Sequence, residues 1–501
     1  MKSRRIRRLL IANRGEIAVR IIRACKEVGI RSIAVYSDDD RKSLHVLSAD
    51  EAYRLGGSSP IESYLNQQRI VELAKAWSAD AIHPGYGFLA ENAEFADLVE
   101  QSGLTFVGPA ASSIRLMGDK TQARKLAREL GIPTIEGTIE PLRSLEEGVK
   151  ISEVIGYPVL LKAAGGGGGK GMRIVRSLGE FDSAFKMARS EAKSAFGDDR
   201  IYVEKYLDSP RHIEMQILAD SHGNVVCLGE RECSIQRRHQ KIIEESPSTA
   251  LDEHLRSKLT DAALTLAREA RYSNAGTMEF LLSSEGKFYF LEMNTRLQVE
   301  HPVTEETTGL DIVIEQIKVA EGGSLRFDQH QIRPRGHAIE CRICAEDPQS
   351  GFMPSTGTLT RYQLPQGRIR VENGFREGDE ISVHYDSLLA KVISWRPTRD
   401  EAISALGRAL DEFKVQGVST TIAICRSILN HAAFVEGNID THFIDKHFQH
   451  LTSYQTETAD ARIAAIAGVL LHSLRRNFAT SQVRNLNDTG SRWKWSRRDT
   501  Y

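Results

Sequence analysis

The first hundred residues alternate short apolar runs with stretches of helical periodicity. RRLLIAN reads as a strand, GEIAVRIIRACKEVG as an amphipathic helix and RSIAVYS as a second strand. DAIHPGYG and LTFVGP supply further strands on either side of the helical NAEFADLVEQSG. Strand and helix in regular alternation predict a parallel, doubly wound sheet. MGDKTQARKLARELGIP then reads as a capped helix closed by Gly131 and Pro133. Short strands and helices mix from Tyr157 to about Asp220, and residues 275–300 carry the sharpest hairpin signal in the chain. From His337 to about Trp395 come short strands with Gly and Pro turns, followed by helices through His447. DARIAAIAGVLLHSLRRNF predicts one more amphipathic helix before a polar, basic end that is expected to be frayed.

The run AAGGGGGKGM at 163–172 resembles a phosphate cradle, and the elements around it decide which kind. A Walker loop needs Ser or Thr after its lysine, and Gly171 follows Lys170. A P-loop or a dinucleotide turn must also open a helix, whose N–H groups face the phosphate. Here YPVLLKAA and MRIVRS flank the glycines as strands, and nothing helical begins until about Leu178. The run is therefore read as a loop between strands, able to fold over phosphates with its own N–H groups. A functionless hairpin tip is the plainer alternative. The single glycine of NRGE argues against a dinucleotide site at the first turn, despite Asp38–Asp40 after the second strand.

TMEFLLSSEGKFYFLEMN places two strands around a turn near Glu285-Gly286. A two-residue turn pairs Ser284 with Lys287 and sets Glu279 directly opposite Glu292; a longer loop shifts that register by about one residue. Like charges opposed on one sheet face destabilise it. A divalent cation with hard oxygen ligands resolves the conflict, and Asn294 on the same face adds a third donor. Two solvated glutamates are the bland reading, and the register favours metal. If TRLQVEHP stays extended, Glu292, Asn294, Arg296, Gln298 and Glu300 share one face. Arg296 then suits bidentate grip of an oxyanion and Glu300 suits general-base work. HIEMQIL puts His212, Glu214 and Gln216 on one strand face, and SIQRRHQK suggests a local anion site using His239 and Lys241, with a plain solvated loop as the alternative. Lys162, ending the strand before the glycines, is placed to reach phosphate oxygens, unless it is a snorkelling edge lysine.

Composition narrows the classes. The 501 residues carry a formal net charge of −1, which speaks against a general nucleic-acid or membrane-surface binder. No stretch approaches a transmembrane helix, and the basic N-terminus reads as a first strand rather than a signal peptide. Six cysteines do not make a disulfide framework, which favours a cytoplasmic setting. Cys341 and Cys344 lie three apart on a predicted strand, facing opposite sides, so half a zinc site is disfavoured. Without a G-x-S-x-G nucleophile motif, a glycine lid with paired acids and several Lys, Arg and His points to phosphoryl transfer by positioning and charge neutralisation.

IANRGEIAVRIIRACKE, HPGYGFLAEN, RLMGDK, KAAGGGGGKGMR, EKYLDSPRHIEMQ, QRRHQKIIEESP, EMNTRLQVEHPVTE and HAIECRICAEDP, in that order, resemble the biotin carboxylase component of the biotin-dependent carboxylases. The resemblance covers roughly residues 6–447 and implies an ATP-grasp fold. Its divisions are an N-terminal α/β domain (1–114), an ATP-grasp domain (115–335) with a mobile lid at about 136–204, a C-terminal α+β domain (336–447) and a tail (448–501). It implies that Lys120, Lys162, Gly168, Gly169, Glu204, Lys205, Tyr206, Leu207, His212, Gln236 and His239 hold ATP, together with Glu279 and Glu292. Glu279, Glu292 and Asn294 would bind Mg²⁺ or Mn²⁺. Lys241, Arg296, Gln298 and Val299 would surround bicarbonate, and Glu300 would deprotonate it. Arg342 would stabilise the biotin enolate, with Tyr86 near the ring.

The resemblance further implies a homodimer, a biotin carboxyl carrier protein and a carboxyltransferase subunit. The family's biotin-accepting lysine sits in A-M-K-M, and no M-K-M occurs here, so biotin is expected on another polypeptide. Cys344 stands where relatives usually carry Asn or Tyr. The QSGFMPS loop and the 460–478 helix look more like α-subunits of propionyl- or methylcrotonyl-type carboxylases than the acetyl-CoA enzyme. A split pyruvate carboxylase is the alternative. An inactive nucleotide-binding scaffold is disfavoured because Glu279, Glu292, Arg296, Glu300 and Arg342 are all present.

Overall fold

A computed structural model describes residues 5–163 and 172–448. Gly168, Gly169 and the helix expected at 460–478 lie outside the described residues. Five parallel strands open the chain: β1 (Arg8–Ile11), β2 (Arg31–Ser37), β3 (Glu51–Gly56), β4 (Ala81–His83) and β5 (Thr105–Phe106). They are ordered β3-β2-β1-β4-β5, the doubly wound arrangement that the alternation predicts. The helix Gly15–Val28 turns Ile17, Ala18, Ile21, Ile22 and Cys25 into the core and ends at Gly29, whose φ of 73° closes it. Strand β3 was not anticipated. It is an edge strand, half-exposed and without an apolar run, so it carries little periodic signal.

A small three-stranded sheet follows, ordered β7-β6-β8, from β6 (Val159–Ala163), β7 (Met172–Val175) and β8 (Ile201–Lys205). Strands β6 and β7 pair antiparallel, with Lys162 opposite Met172. The glycine run therefore connects two strands of one hairpin, as its flanks predict. The next helix, Leu178–Phe196, packs Phe181, Phe185 and Ala188 onto Val159, Leu161 and Val203, giving this unit a core of its own.

The largest sheet has eight strands, ordered β13-β12-β9-β10-β11-β14-β16-β15. Its members are β9 (Arg211–Ala219), β10 (Val225–Arg237), β11 (Gln240–Ser246), β12 (Asn274–Leu282), β13 (Phe288–Asn294), β14 (His337–Cys344), β15 (Arg370–Asn373) and β16 (Leu388–Arg396). The sheet runs without a break through residue 336, because β11 pairs with β14. On β9, Ile213, Met215 and Ile217 enter the core beneath the helices Lys120–Glu129 and Glu253–Glu269. The alternate positions His212, Glu214 and Gln216 take the opposite face.

The β12–β13 hairpin reaches the anticipated register by another route. Ser283 N–H donates to Lys287 O (2.8 Å), and Gly286 adopts φ 77° in a three-residue loop, one residue longer than the two-residue turn. That loop pairs Leu282 with Phe288, which alone would set Leu291 opposite Glu279. A β-bulge between Glu279 and Phe280 shifts the register by one and brings Glu292 opposite Glu279. Phe290 and Met293 thereby both enter the core, while Glu292 and Asn294 keep the other face.

Cys341 and Cys344 are buried free thiols on β14, and neither belongs to a group of clustered metal-ligating side chains among the described residues. No helix among the described residues is long and apolar enough to cross a membrane.

Candidate active site

One large cleft lies over the polar face of the eight-stranded sheet, bordered by the first sheet and the small glycine-flanked unit. Lys120, Lys162, Glu204, Lys205, Tyr206, Leu207, His212, Gln236, His239, Lys241, Glu279, Glu292, Asn294, Arg296, Gln298, Val299, Arg342 and Tyr86 all line it. Glu300 sits wholly buried just beneath. Strand alternation explains this convergence, because β9, β12 and β13 each present every second side chain to the same side.

After Asn294 the chain does not stay extended. Strand β13 ends there, and Glu300 is the N-cap of the helix His301–Thr308. The polar residues meet nonetheless through a turn. Arg296 donates to Gln298 Oε1 (3.0 Å) and Asn294 Oδ1 (3.0 Å), and Gln298 Nε2 donates to Glu279 Oε1 (3.3 Å). Helix initiation, favoured by Pro302 in the first turn, replaces the strand there.

Three cations organise the floor. Lys241 Nζ touches Glu214, Glu279 (3.2 Å) and Glu300 (2.7 Å). Arg342 forks between Glu244 (2.5 Å) and Glu300 (2.9 Å). Arg231, fully buried, grips Glu214 (3.0 Å). Burial alone would raise the Glu300 carboxyl, but Lys241, Arg342 and Arg231 outweigh it and hold the group well below the usual range. Glu279 is likewise held low: burial opposes ionisation, and Lys241 and His212 (3.0 Å) prevail. Glu214 goes the other way, pushed up to about 7 by burial and then by Glu300.

At the rim, Lys162 pairs with Glu204 (2.5 Å), which Arg124 also holds, and Lys120 pairs with Glu292 (2.7 Å). Arg296 pairs with Glu91 (2.9 Å). Each of these cations is held at the cleft by an acid, so an entering polyanion meets positive groups already in position. Lys241 follows a two-residue turn, Arg238-His239, with φ of 47° and 66°. Bulky residues seldom accept that conformation, and strain of this kind clusters at functional sites. Tyr86 is tied to Glu16, which also pairs with the buried Lys391 (3.0 Å). Lys391 Nζ in turn donates to Val299 O (2.7 Å), fixing the backbone beside the site.

The donor set suits a hard divalent cation. Glu279 and Glu292 are opposed on adjacent strands, and each already carries a positive partner where positive charge is needed. The tighter donor groups are His212–Glu214–Glu279 and Glu214–Cys233–Glu300; Glu292 stands outside them, held by Lys120. Sequence reasoning missed Glu244, Arg231, Lys391 and Glu91. A lone lysine inside the apolar LLAKVISW was the one legible signal among them.

Comparison with known proteins decides the family. The descriptions "Biotin carboxylase, N-terminal domain", "Carbamoyl-phosphate synthase L chain, ATP binding domain" and "Biotin carboxylase C-terminal domain" match residues 5–114, 119–327 and 340–446. Biotin carboxylase 1 of Bacillus subtilis is 50% identical over 442 residues, covering 88% of this chain and 98% of that protein. The chain belongs to the biotin carboxylase family of ATP-dependent ligases. Among its relatives in that family, the mitochondrial methylcrotonoyl-CoA carboxylase subunit alpha of Dictyostelium discoideum is 45% identical over 495 residues, covering 98% of this chain and 70% of that one. The fold matches the crystal structure of the biotin carboxylase domain dimer of the Hydrogenobacter thermophilus 2-oxoglutarate carboxylase, in complex with MgADP, ADP and bicarbonate. That match has a TM-score of 0.87 and 48% identity, covering 90% of this chain and all of that one.

Proposed function

We propose that the chain is the biotin carboxylase component of an acyl-CoA carboxylase, acting on biotin borne by a separate carrier protein. The observation that carries the reading is the meeting of Lys241, Glu300 and Arg342 beside the Glu279–Glu292 hairpin, in one cleft with Lys120 and Lys162. Lys120, Lys162 and His239, with the glycine run that includes Gly168 and Gly169, bind the triphosphate. Glu204 to Leu207, His212 and Gln236 complete the nucleotide pocket. Glu279, Glu292 and Asn294 hold Mg²⁺ or Mn²⁺, which when bound neutralises phosphate charge.

Bicarbonate lies among Lys241, Arg296, Gln298 and Val299, and Glu300 takes its proton. Glu300 is ionised but weakly basic while Lys241 and Arg342 bind it. An anionic substrate drawing those cations away raises its basicity when it is needed. Bicarbonate oxygen attacks the γ-phosphorus, releasing ADP and forming carboxyphosphate. This breaks to CO₂ and phosphate, and the phosphate takes the ureido proton of biotin. Arg342 neutralises the enolate, Tyr86 lies by the ring, and the nitrogen bonds to CO₂, giving N-carboxybiotin.

The methylcrotonoyl-CoA relative aligns over 98% of the chain, beyond residue 448, whereas the Bacillus subtilis protein covers 88%. That supports a branched or short acyl-CoA acceptor on the partner transferase. A 2-oxo acid acceptor, pyruvate included, is the second reading, supported by the likeness to the 2-oxoglutarate carboxylase domain. We place the enzyme in the cytoplasm as a homodimer, its six cysteines all buried free thiols. The test is bicarbonate-dependent ATP hydrolysis that rises with free biotin; hydrolysis indifferent to bicarbonate sinks the reading. Capture of the biotinylated carrier with its transferase identifies the acceptor.

A further inference from the structure

Beneath Arg342 lies a carboxyl group that the mechanism does not use. Glu340 and Arg342, two apart on β14, share a face, and the sheet register sets Glu340 directly opposite Glu244 on β11. Both residues are wholly buried. Glu244 Oε1 accepts from Arg342 Nε, whereas Glu244 Oε2 and both oxygens of Glu340 have no hydrogen-bond partner among the described residues. The surrounding charges are otherwise engaged. Lys391 on β16 pairs with Glu16 and Val299 O, Arg342 with Glu244 and Glu300, and Lys241 with Glu214, Glu279 and Glu300. His301, on the helix packed against β14, is held neutral by its burial and by Lys391.

Among the described residues no cation pairs directly with Glu340: Lys391 and Arg342 lie near it but are bonded to other acids, and two buried carboxylates facing across strands ionise together only at high cost. We propose that Glu340 is a positioning residue: its carboxylic acid proton is shared with Glu244 Oε2, which holds the other oxygen of Glu244 against Arg342. Burial, reinforced by Glu244 and Glu300 against Lys391 and Arg342, pushes the Glu340 carboxyl well above its ordinary value, in keeping with this geometry. The inference rests on Arg342 acting at biotin, as proposed above.

Three measurements on the full-length enzyme test it. Infrared spectra should show the carbonyl stretch of a buried protonated carboxylic acid, lost in Glu340→Gln. Glu340→Leu, folded by circular dichroism, should lower kcat for biotin carboxylation on the order of 10- to 100-fold while leaving KM for ATP near the parent value. Glu340→Gln, which still donates to Glu244, should restore most of that loss. Absence of the infrared band, equal damage in Gln and Leu, or a KM for ATP that moves with kcat overturns the proposal. If the parent carboxylates no biotin, the functional reading fails, while the infrared band still reports the shared proton independently.

Discussion

Lys241→Met removes the ammonium on which Glu214, Glu279 and Glu300 converge and keeps most of its apolar stem. At 2.7 and 3.2 Å from Glu300 and Glu279, with an effective dielectric of about 20, each pair is worth roughly 5–6 kcal/mol by Coulomb's law. Desolvating a buried ammonium offsets several kcal/mol of that, so the expected loss of stability is about 3–5 kcal/mol. The loss should depend on pH. Glu214 already sits at about 7 because of its burial and the nearness of Glu300, with Lys241 pulling it down. Without Lys241 it moves higher. The folded variant then keeps a proton that the unfolded chain has released, and its stability falls by about 1.4 kcal/mol per unit as pH rises above 7. The parent, already deprotonated there, does not follow. Urea unfolding at about pH 6 and about pH 8.5 reads both effects through the midpoint at constant m. A variant as stable as the parent at both values refutes the reasoning.

Glu279→Gln and Glu292→Gln should each cut bicarbonate-dependent ATP hydrolysis by at least about 100-fold; parent-like rates would remove the proposed metal ligands. Arg342→Lys should lose most of the biotin-dependent rise in turnover, because an ammonium cannot fork between Glu244 and Glu300. Steady-state rates with and without biotin check this, and equal loss in both contradicts it. Buried His45 is held at about 4 by desolvation, against an ordinary 6.5, and its Nε2 faces Val35 O. The unfolded chain therefore takes up the proton first. Stability is complete above 6.5 and falls by about 3 kcal/mol as pH drops from 6.5 to 4. His45→Gln should flatten that segment of the unfolding profile, and an unchanged slope would exonerate His45.

What sequence disclosed and what it hid follow from the range of the interactions. The doubly wound sheet was legible because Leu9–Ile11, the Ile17–Cys25 stripe and Ile33–Val35 are local patterns. The hairpin acids were legible only through two compensating errors: the loop is one residue longer than supposed, and a bulge restores the register. The extended reading of Thr295–Glu300 failed because initiation of the helix His301–Thr308, with Pro302 in its first turn, outcompeted strand alternation. Its residues still meet because Gln298 bonds Arg296 and Glu279, and Glu300 bonds Lys241 and Arg342. Glu244, Arg231 and Glu91 were invisible, since their roles depend on strands and loops far away in sequence. Cys341 and Cys344 lie three apart on β14 as buried free thiols.

The most direct test of the central claim is transfer of isotopically labelled bicarbonate to free biotin by the purified chain with ATP and Mg²⁺. Label on the biotin ureido nitrogen, dependent on ATP and lost in Glu300→Gln, is the predicted result. ATP cleaved with no label reaching biotin, or labelling undiminished in Glu300→Gln, would contradict the account.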